Sequence, residues 1–295
     1  MVCAFASSAQ SDKYVAAMLE PLTPIYTAEL FAPLHDELMR LLRGLDDADW
    51  NRQTVAPAWR VRDVVGHMLD VHLRKLSGGR DGYWSTRPAS PSFADITAFI
   101  NEMNAGGVRY STRLSPRVMT DLLDVAGRWV AEFAMSLASD ETAYIGVLWA
   151  GEEQSANWMD IGREYTEFWH HQMQIRDAVG AVPLLQRRWL HPLLDLSVRA
   201  LPRAYANVGA PTGTGIVFEV DGDGRHEWTL VRAESGWNVW RGRHDRPATA
   251  IRTDADTAWK ILYNALPGDR ASQRVTIAGD ASLAAPLLNA RSVMV

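Results

Sequence analysis

The spacing of the hydrophobic residues changes near residue 183, and this change limits the folds that the chain can adopt. Before that point, apolar residues recur every three or four positions, which is the spacing of amphipathic helices. After it, short stretches of alternating apolar and polar residues are bounded by glycine and aspartate, which is typical of strands. The predicted helices of the first part are 29–45, 61–76, 93–103, 115–137 and 156–179.

Local signals give the ends of these elements. Ser115-Pro116 is a typical helix start, and Gly180 is a typical residue just past a helix end. The glycine pairs Gly78-Gly79 and Gly106-Gly107 are predicted to end the second and third helices. The predicted strands of the second part are 215–220, 226–233, 236–241, 248–253 and 273–277, and its predicted helices are 188–205, 257–266 and 282–289.

These patterns predict an α+β protein of two domains. Residues 1–183 are predicted to form a bundle of helices, because long helices with modest connections pack in that way. Residues 184–295 are predicted to form an α+β domain, since strands and helices mix there. Pro183, which follows the helix-ending Gly180, favours a boundary at this point.

The composition excludes several classes of protein. The chain has 295 residues, and Cys3 is its single cysteine, so an internal disulfide and a cysteine-rich metal site are excluded. A net charge of -5 without a run of lysine and arginine argues against nucleic acid as a partner. No stretch approaches the roughly 20 apolar residues of a membrane helix, and residues 1–10 lack the positive start of a signal peptide. A cytoplasmic protein is therefore predicted, and its oligomeric state is left open.

One helix carries a pair of residues suited to binding a metal. Glu167 and His171 are four positions apart on the predicted helix 156–179, so their side chains lie on the same face. His67, on the predicted helix 61–76, is a third candidate. On a helical wheel His170 points away from this group and is the poorer ligand. Three ligands would leave one coordination position of the metal open, which indicates a catalytic rather than a structural metal site.

Spacing alone leaves other interpretations open. A single helical histidine is commonly a half-buried or surface residue, and a Glu-x-x-x-His pair is commonly a pair on a helix surface. Asp63 and Asp70 flank His67 at positions where either could orient its ring.

Longer segments resemble a known family. Residues 38–50 combine a leucine-rich helix with an acidic turn ending in Trp50, residues 59–67 read WRVRDVVGH, and residues 163–180 read REYTEFWHHQMQIRDAVG. These segments resemble the two signatures of the mycothiol-dependent maleylpyruvate isomerase family. Residues 253–260 and 275–284 resemble its C-terminal domain, which is similar to sterol carrier proteins.

The resemblance implies a DinB-like four-helix bundle followed by a sterol-carrier-like domain. It also implies that His67, Glu167 and His171 bind a divalent metal, usually zinc. Gln174 stands where many members of the family carry an aspartate.

The activity that the resemblance implies is a thiol-dependent reaction. The low-molecular-weight thiol mycothiol, or a similar thiol, would add to a small electrophilic acid, and the enzyme would act as an isomerase or as an S-transferase. The alternative is a non-enzymatic binding protein with a structural or vestigial metal site and an apolar ligand pocket in the C-terminal domain.

Overall fold

The computed structural model describes residues 19–90 and 92–293, so Cys3 and the first ten residues lie outside the described part. The described chain forms two compact units. The helical unit comprises Ile25–Leu148 and Glu152–Leu184, and the sheet unit comprises residues 19–24, Trp149–Gly151 and Leu185–Ser292. A helix-rich first part and a six-stranded sheet with helices in the second confirm the predicted α+β class. Within the described residues, no helix is long and apolar enough to cross a membrane.

The helical unit has five α-helices within its described residues. Four of them, α1, α2, α4 and α5, share one hydrophobic core to which Leu38, Met68, Leu123 and Ile175 belong. The remaining helix, α3, packs along α2 outside that core. The helices are α1 (Phe31–Arg43), α2 (Val61–Arg74), α3 (Phe93–Ser111), α4 (Pro116–Ser136) and α5 (Asn157–Val179), with 3-10 turns at Ala28–Leu30 and Asp49–Asn51 and a π-helix at Lys75–Arg80.

The helix ends predicted from Ser115 and Gly180 are confirmed. The Ser115 side chain accepts a hydrogen bond from the Val118 backbone N–H at 3.3 Å, and Pro116 occupies the first turn of α4. Gly180 follows α5 with φ of +70°, a left-handed conformation that glycine adopts without steric cost.

The two glycine pairs do not end their helices, so that prediction is wrong. The second helix continues through Gly78-Gly79 as the π-helix, and α3 runs through Gly106-Gly107 to Ser111. The physical reason at Gly107 is packing between helices. A β-carbon built there would overlap the Asp70 side chain on α2, whose own β-carbon would be 2.6 Å away. Tertiary contact thus favours a glycine where local propensity alone favours a helix end.

Replacing these two neighbouring glycines with alanine should have opposite effects on stability. Gly107→Ala should lower the free energy of unfolding by about 1–3 kcal/mol, because the methyl group forces α2 and α3 apart. Gly106→Ala is the matched control, since a β-carbon there would be 3.9 Å from its nearest neighbour, the Arg109 guanidinium. That change should raise stability by up to about 1 kcal/mol through helix propensity. Urea unfolding measures both values, and equal effects would contradict the packing explanation.

The sheet unit is built on six strands in the order β1-β4-β3-β2-β5-β6. All neighbouring strands are antiparallel except β2 and β5, which are parallel. The strands are β1 (Glu20–Pro21), β2 (Gly215–Gly222), β3 (Gly224–Ala233), β4 (Gly236–Arg241), β5 (Thr249–Asp254) and β6 (Thr276–Gly279). The helices are α6 (Arg187–Ser197), α7 (Leu201–Ala204), α8 (Ala255–Leu262), α9 (Gly268–Ala271) and α10 (Ala285–Leu288), with 3-10 turns at Val198–Ala200 and Ala281–Leu283.

Turns and caps of this unit follow the sequence closely. The hairpin predicted between β2 and β3 turns at Asp223, and Gly224 takes φ of +88°. The Asp254 side chain accepts a hydrogen bond from the Thr257 backbone N–H at 2.8 Å, which caps α8 as predicted. The predicted helix 188–205 is instead divided into α6, a 3-10 turn and α7. Pro202 in the first turn of α7 explains the division, because proline has no N–H to continue the helix before it.

We propose that the two units are domains that fold independently, with the helical one ending at Leu184. Leu184 is buried, and its carbonyl accepts a hydrogen bond from the Trp169 indole at 3.2 Å, so the last residues of the segment are held by α5. A fragment of residues 1–184 should therefore give a cooperative thermal transition, whereas a fragment of residues 1–181 should unfold at a lower temperature. An unfolded 1–184 fragment beside a folded full chain would contradict independent folding.

Candidate metal centre

The candidate ligands from the two predicted helices meet where α2 packs against α5. His67 and His171 are both buried, and their ring centroids are 4.7 Å apart in an edge-on arrangement. The Trp59 ring packs on His67 with 4.7 Å between centroids. The structure therefore brings together two histidines that are 104 positions apart in the sequence.

Glu167 completes this group from one turn earlier on α5. Its Oε2 atom lies 3.5 Å from Nε2 of His171. The Glu167 side chain is 23% exposed, whereas the side chain of His171 is 8% exposed, so the carboxylate is the more accessible of the two.

A glutamine orients His171. Nδ1 of His171 lies 3.0 Å from Oε1 of Gln174. Nδ1 is therefore held by Gln174, while Nε2 is on the side of the ring that faces Glu167. Gln174 thus supplies a second contact of the kind that fixes metal-binding histidines.

His67 has no such orienting partner among the described residues. Its buried Nδ1 atom makes no hydrogen bond there. Asp63 accepts a hydrogen bond from the Arg60 backbone N–H at the start of α2, and Asp70 accepts one from the Arg74 side chain. The prediction that one of these aspartates orients the His67 ring is therefore wrong. Burial, followed by the nearby His171, holds the pKa of His67 well below its usual value. The ring is therefore neutral, with a buried polar atom that lacks a partner.

His170 is closer to the group than the helical wheel predicted. It is buried, and its ring centroid is 4.0 Å from that of His171. Its Nδ1 atom donates to the Thr166 carbonyl over 3.0 Å. One ligand atom from each of Glu167, His170 and His171 fits within 4.8 Å of the others. This group contains His170 in place of the predicted His67, which contacts His171 through its ring.

The surroundings of Glu167 keep its carboxylate ionised, and those of His170 keep its imidazole neutral. Burial acts to raise the pKa of Glu167, but His170 and the hydrogen bond with His171 outweigh it and lower the pKa to about 2. Burial lowers the pKa of His170 to about 3, with His171 adding to the effect. A carboxylate oxygen and neutral imidazole nitrogens are the protonation states that a divalent metal requires.

Buried ion pairs hold the N-terminal end of the same helix, and no sequence pattern predicted them. The Lys75 ammonium lies 2.7 Å from Asp160 and 3.4 Å from Glu164, and Arg163 lies 2.6 Å from Asp160. Burial would lower the pKa of Lys75, but Glu164 and Asp160 together raise it. Lys75 belongs to the π-helix, so its ion pairs with Asp160 and Glu164 connect the π-helix to α5.

The arrangement is chemically suited to a divalent transition metal. One carboxylate with two neutral imidazoles is a common ligand set of catalytic zinc, which keeps a further position for water or substrate. Mixed nitrogen and oxygen ligands without thiolate also fit other first-row metals.

Comparison with known proteins identifies the family of the helical unit. Residues 31–176 match the model of the mycothiol maleylpyruvate isomerase N-terminal domain. This part of the chain therefore belongs to a family of N-terminal enzyme domains, that of the mycothiol maleylpyruvate isomerases, which confirms the resemblance found in the sequence.

Two solved structures share the fold. The mycothiol-dependent maleylpyruvate isomerase is similar with a TM-score of 0.51 and 16% identity, over 86% of this chain and 92% of that chain. A histidine-to-alanine mutant of that isomerase is similar with a TM-score of 0.50 and 15% identity, with the same coverage. At these identities the likeness shows the fold alone.

Two relatives come from Mycobacterium tuberculosis. The uncharacterized protein Rv0036c of strain ATCC 25618 / H37Rv is 25% identical over 223 residues, which cover 71% of this chain and 78% of the relative. The uncharacterized protein MT0041 of strain CDC 1551 / Oshkosh gives the same values.

Proposed function

We propose that the protein is a metal-dependent enzyme that uses a low-molecular-weight thiol, such as mycothiol, on a small electrophilic acid. The observation that carries the proposal is the contact of buried His67 with buried His171, whose Nε2 lies 3.5 Å from Oε2 of Glu167, in a helical domain of this family. The reaction is an isomerisation, if the thiol is eliminated again after addition, or an S-transfer, if the adduct is kept. Such thiols are kept reduced in the cytosol, which makes the cytoplasm the proposed location.

We assign the metal to His67, Glu167 and His171, with zinc as the proposed ion. The unpartnered Nδ1 of buried His67 supports this set, because a buried polar atom without a partner is costly unless something binds it. Nε2 of His171 faces Glu167, as described above. His170 is left outside this set because the segments that resemble the family assign the third ligand to His67. Nδ1 of His170 donates to the Thr166 carbonyl, so its Nε2 is the ligand atom of the alternative set.

The residues around the site prepare it for a thiol. A divalent ion held there would lower the pKa of a thiol at its open position, so that the thiolate forms near neutral pH. Glu167 is already ionised, so it need not lose a proton when the ion binds, and Gln174 holds the His171 ring. Trp59 covers His67 and limits the access of water to that side.

The two possible ligand sets predict different outcomes for histidine variants. His67→Ala and His171→Ala should remove most of the metal from the purified full-length protein and lower its melting temperature, because bound metal stabilises the folded state. His170→Ala should keep about one metal ion per chain, because all three assigned ligands remain in that variant. Metal analysis and thermal unfolding of all three variants test this. Metal retained by His67→Ala but lost from His170→Ala would assign the site to the other set.

Turnover should depend on added thiol. An activated unsaturated acid should be isomerised or conjugated only when the thiol is present, and Glu167→Ala should reduce kcat/KM by at least about a hundredfold, as loss of a metal ligand does. Glu102→Ala, at an exposed position on α3, is the control and should leave turnover unchanged. Product analysis separates isomer from thioether adduct. Hydrolysis of a model ester without thiol would instead identify a metal-dependent hydrolase, and inactivity of the metal-loaded protein over a broad panel of acids and thiols would favour the binding protein.

A further inference from the structure

Helix α4 carries a row of exposed apolar residues. Val118, Leu122, Val125 and Trp129 follow one another at spacings of four, three and four, and they are 43%, 46%, 46% and 47% exposed. At about 100° per residue they fall within a narrow stripe, and the stripe extends over roughly 16 Å. This spacing is the a/d pattern of a coiled-coil seam. We call these four residues the α4 seam.

The α4 seam is separate from the face with which α4 contacts its own unit. Met119, Leu123 and Ala126 on the other side of the helix are buried in the shared core. The Arg80 guanidinium lies 6.0 Å from the centroid of the Trp129 ring, but almost half of Trp129 remains exposed. Single exposed apolar residues are ordinary, but a continuous row of four marks an interaction surface.

The charges beside the seam indicate its partner. Asp121 and Arg128 are seven positions apart, in the g positions of the same heptad pattern, and both are exposed. In an antiparallel pair of helices, g positions face g positions. If a second copy of α4 runs antiparallel, Leu122 meets Val125 of the other copy, Val118 meets Trp129, and Asp121 meets Arg128. The twofold symmetry then forms each of these contacts twice.

We propose that the α4 seam binds a second copy of this chain, with the two α4 helices antiparallel. In a parallel arrangement, each residue of the seam would face its identical counterpart on the other copy. Neither Asp121 nor Arg128 would then face a residue of opposite charge. The present partners of these charges do not prevent the pairing. Arg128 lies 3.0 Å from Asp124 and Arg117 lies 3.9 Å from Asp121, and both arginines remain largely exposed. Exposed pairs of this kind are weak.

The size of the seam sets the expected affinity. Four side chains per copy bury less than the roughly 800 Å² per partner of a standard stable interface. A dissociation constant in the micromolar range, on the order of 10 μM, is therefore expected. Dimerisation is then visible only if the concentration is varied.

The apolar part of the proposal is tested by sedimentation of the full-length protein between about 1 and 200 μM, a range that brackets the expected constant. The wild type should pass from monomer to dimer, and Leu122→Asp should remain monomeric. Leu73→Asp is the matched control, because Leu73 on α2 is also 46% exposed but lies outside the seam. Thermal unfolding verifies that each variant is folded. A wild type that stays monomeric throughout, or equal loss of dimer in the two variants, would overturn the proposal.

A charge exchange tests the antiparallel arrangement. Asp121→Arg and Arg128→Asp should each raise the dissociation constant roughly tenfold, equal to about 1.4 kcal/mol, since each places like charges together twice. The double variant should recover most of the wild-type affinity, because the pair is restored with opposite sign. Asp221→Arg, which breaks an exposed ion pair with Arg252 in the sheet unit, should leave the constant unchanged. A double variant that is as weak as the single variants would exclude the antiparallel pairing.

Discussion

The burial of α5 on nearly all its sides is the constraint on which the rest of the helical unit depends. Seventeen of its 23 residues are buried, and many of them are polar. Each buried polar group requires a partner, because an unpaired one costs free energy. The partners come from other elements. Gln172 donates to the Leu34 carbonyl on α1 at 3.0 Å, and Arg176 donates to the Val182 carbonyl at 2.7 Å.

This burial also explains the chemistry that the site can support. Burial lowers the pKa of His67 and of His170, which favours their neutral forms, and the contacts of Glu167 with His170 and His171 lower its pKa, which favours the carboxylate. Both effects produce the protonation states of metal ligands before any metal binds. Pairing is incomplete, since Nδ1 of His67 and Oε2 of Glu164 make no hydrogen bond among the described residues. The unpaired atom of His67 belongs to a ring that packs against His171, where a bound ligand would pair with it.

Much of the fold could be predicted from the sequence, because its signals are local. The cap at Ser115, the glycine after α5 and the hairpin at Asp223 each depend on a few adjacent residues. The glycine pairs were misinterpreted because their reason lies on another helix, where Gly107 faces Asp70. A helical wheel treats a helix as having one buried side, and α5 has no exposed side on which His170 could lie. The choice among the candidate ligands therefore required the resemblance to a family as well as the spacing.

The buried ion pairs of Lys75 explain how a site of this kind keeps its geometry. Buried pairs contribute little net stability, because desolvation offsets much of their attraction, but they penalise any arrangement that separates them. Asp160 and Glu164 meet Lys75 only for one rotation of α5, and a shift of one residue turns a helix by about 100°. Glu167 and His171 lie on the next turns of the same helix, so the ion pairs that fix its rotation also fix both candidate ligands. The π-helix that carries Lys75 continues α2, the helix of His67. One charged contact thus holds in register the two helices that supply the site, whichever substrate the site accepts.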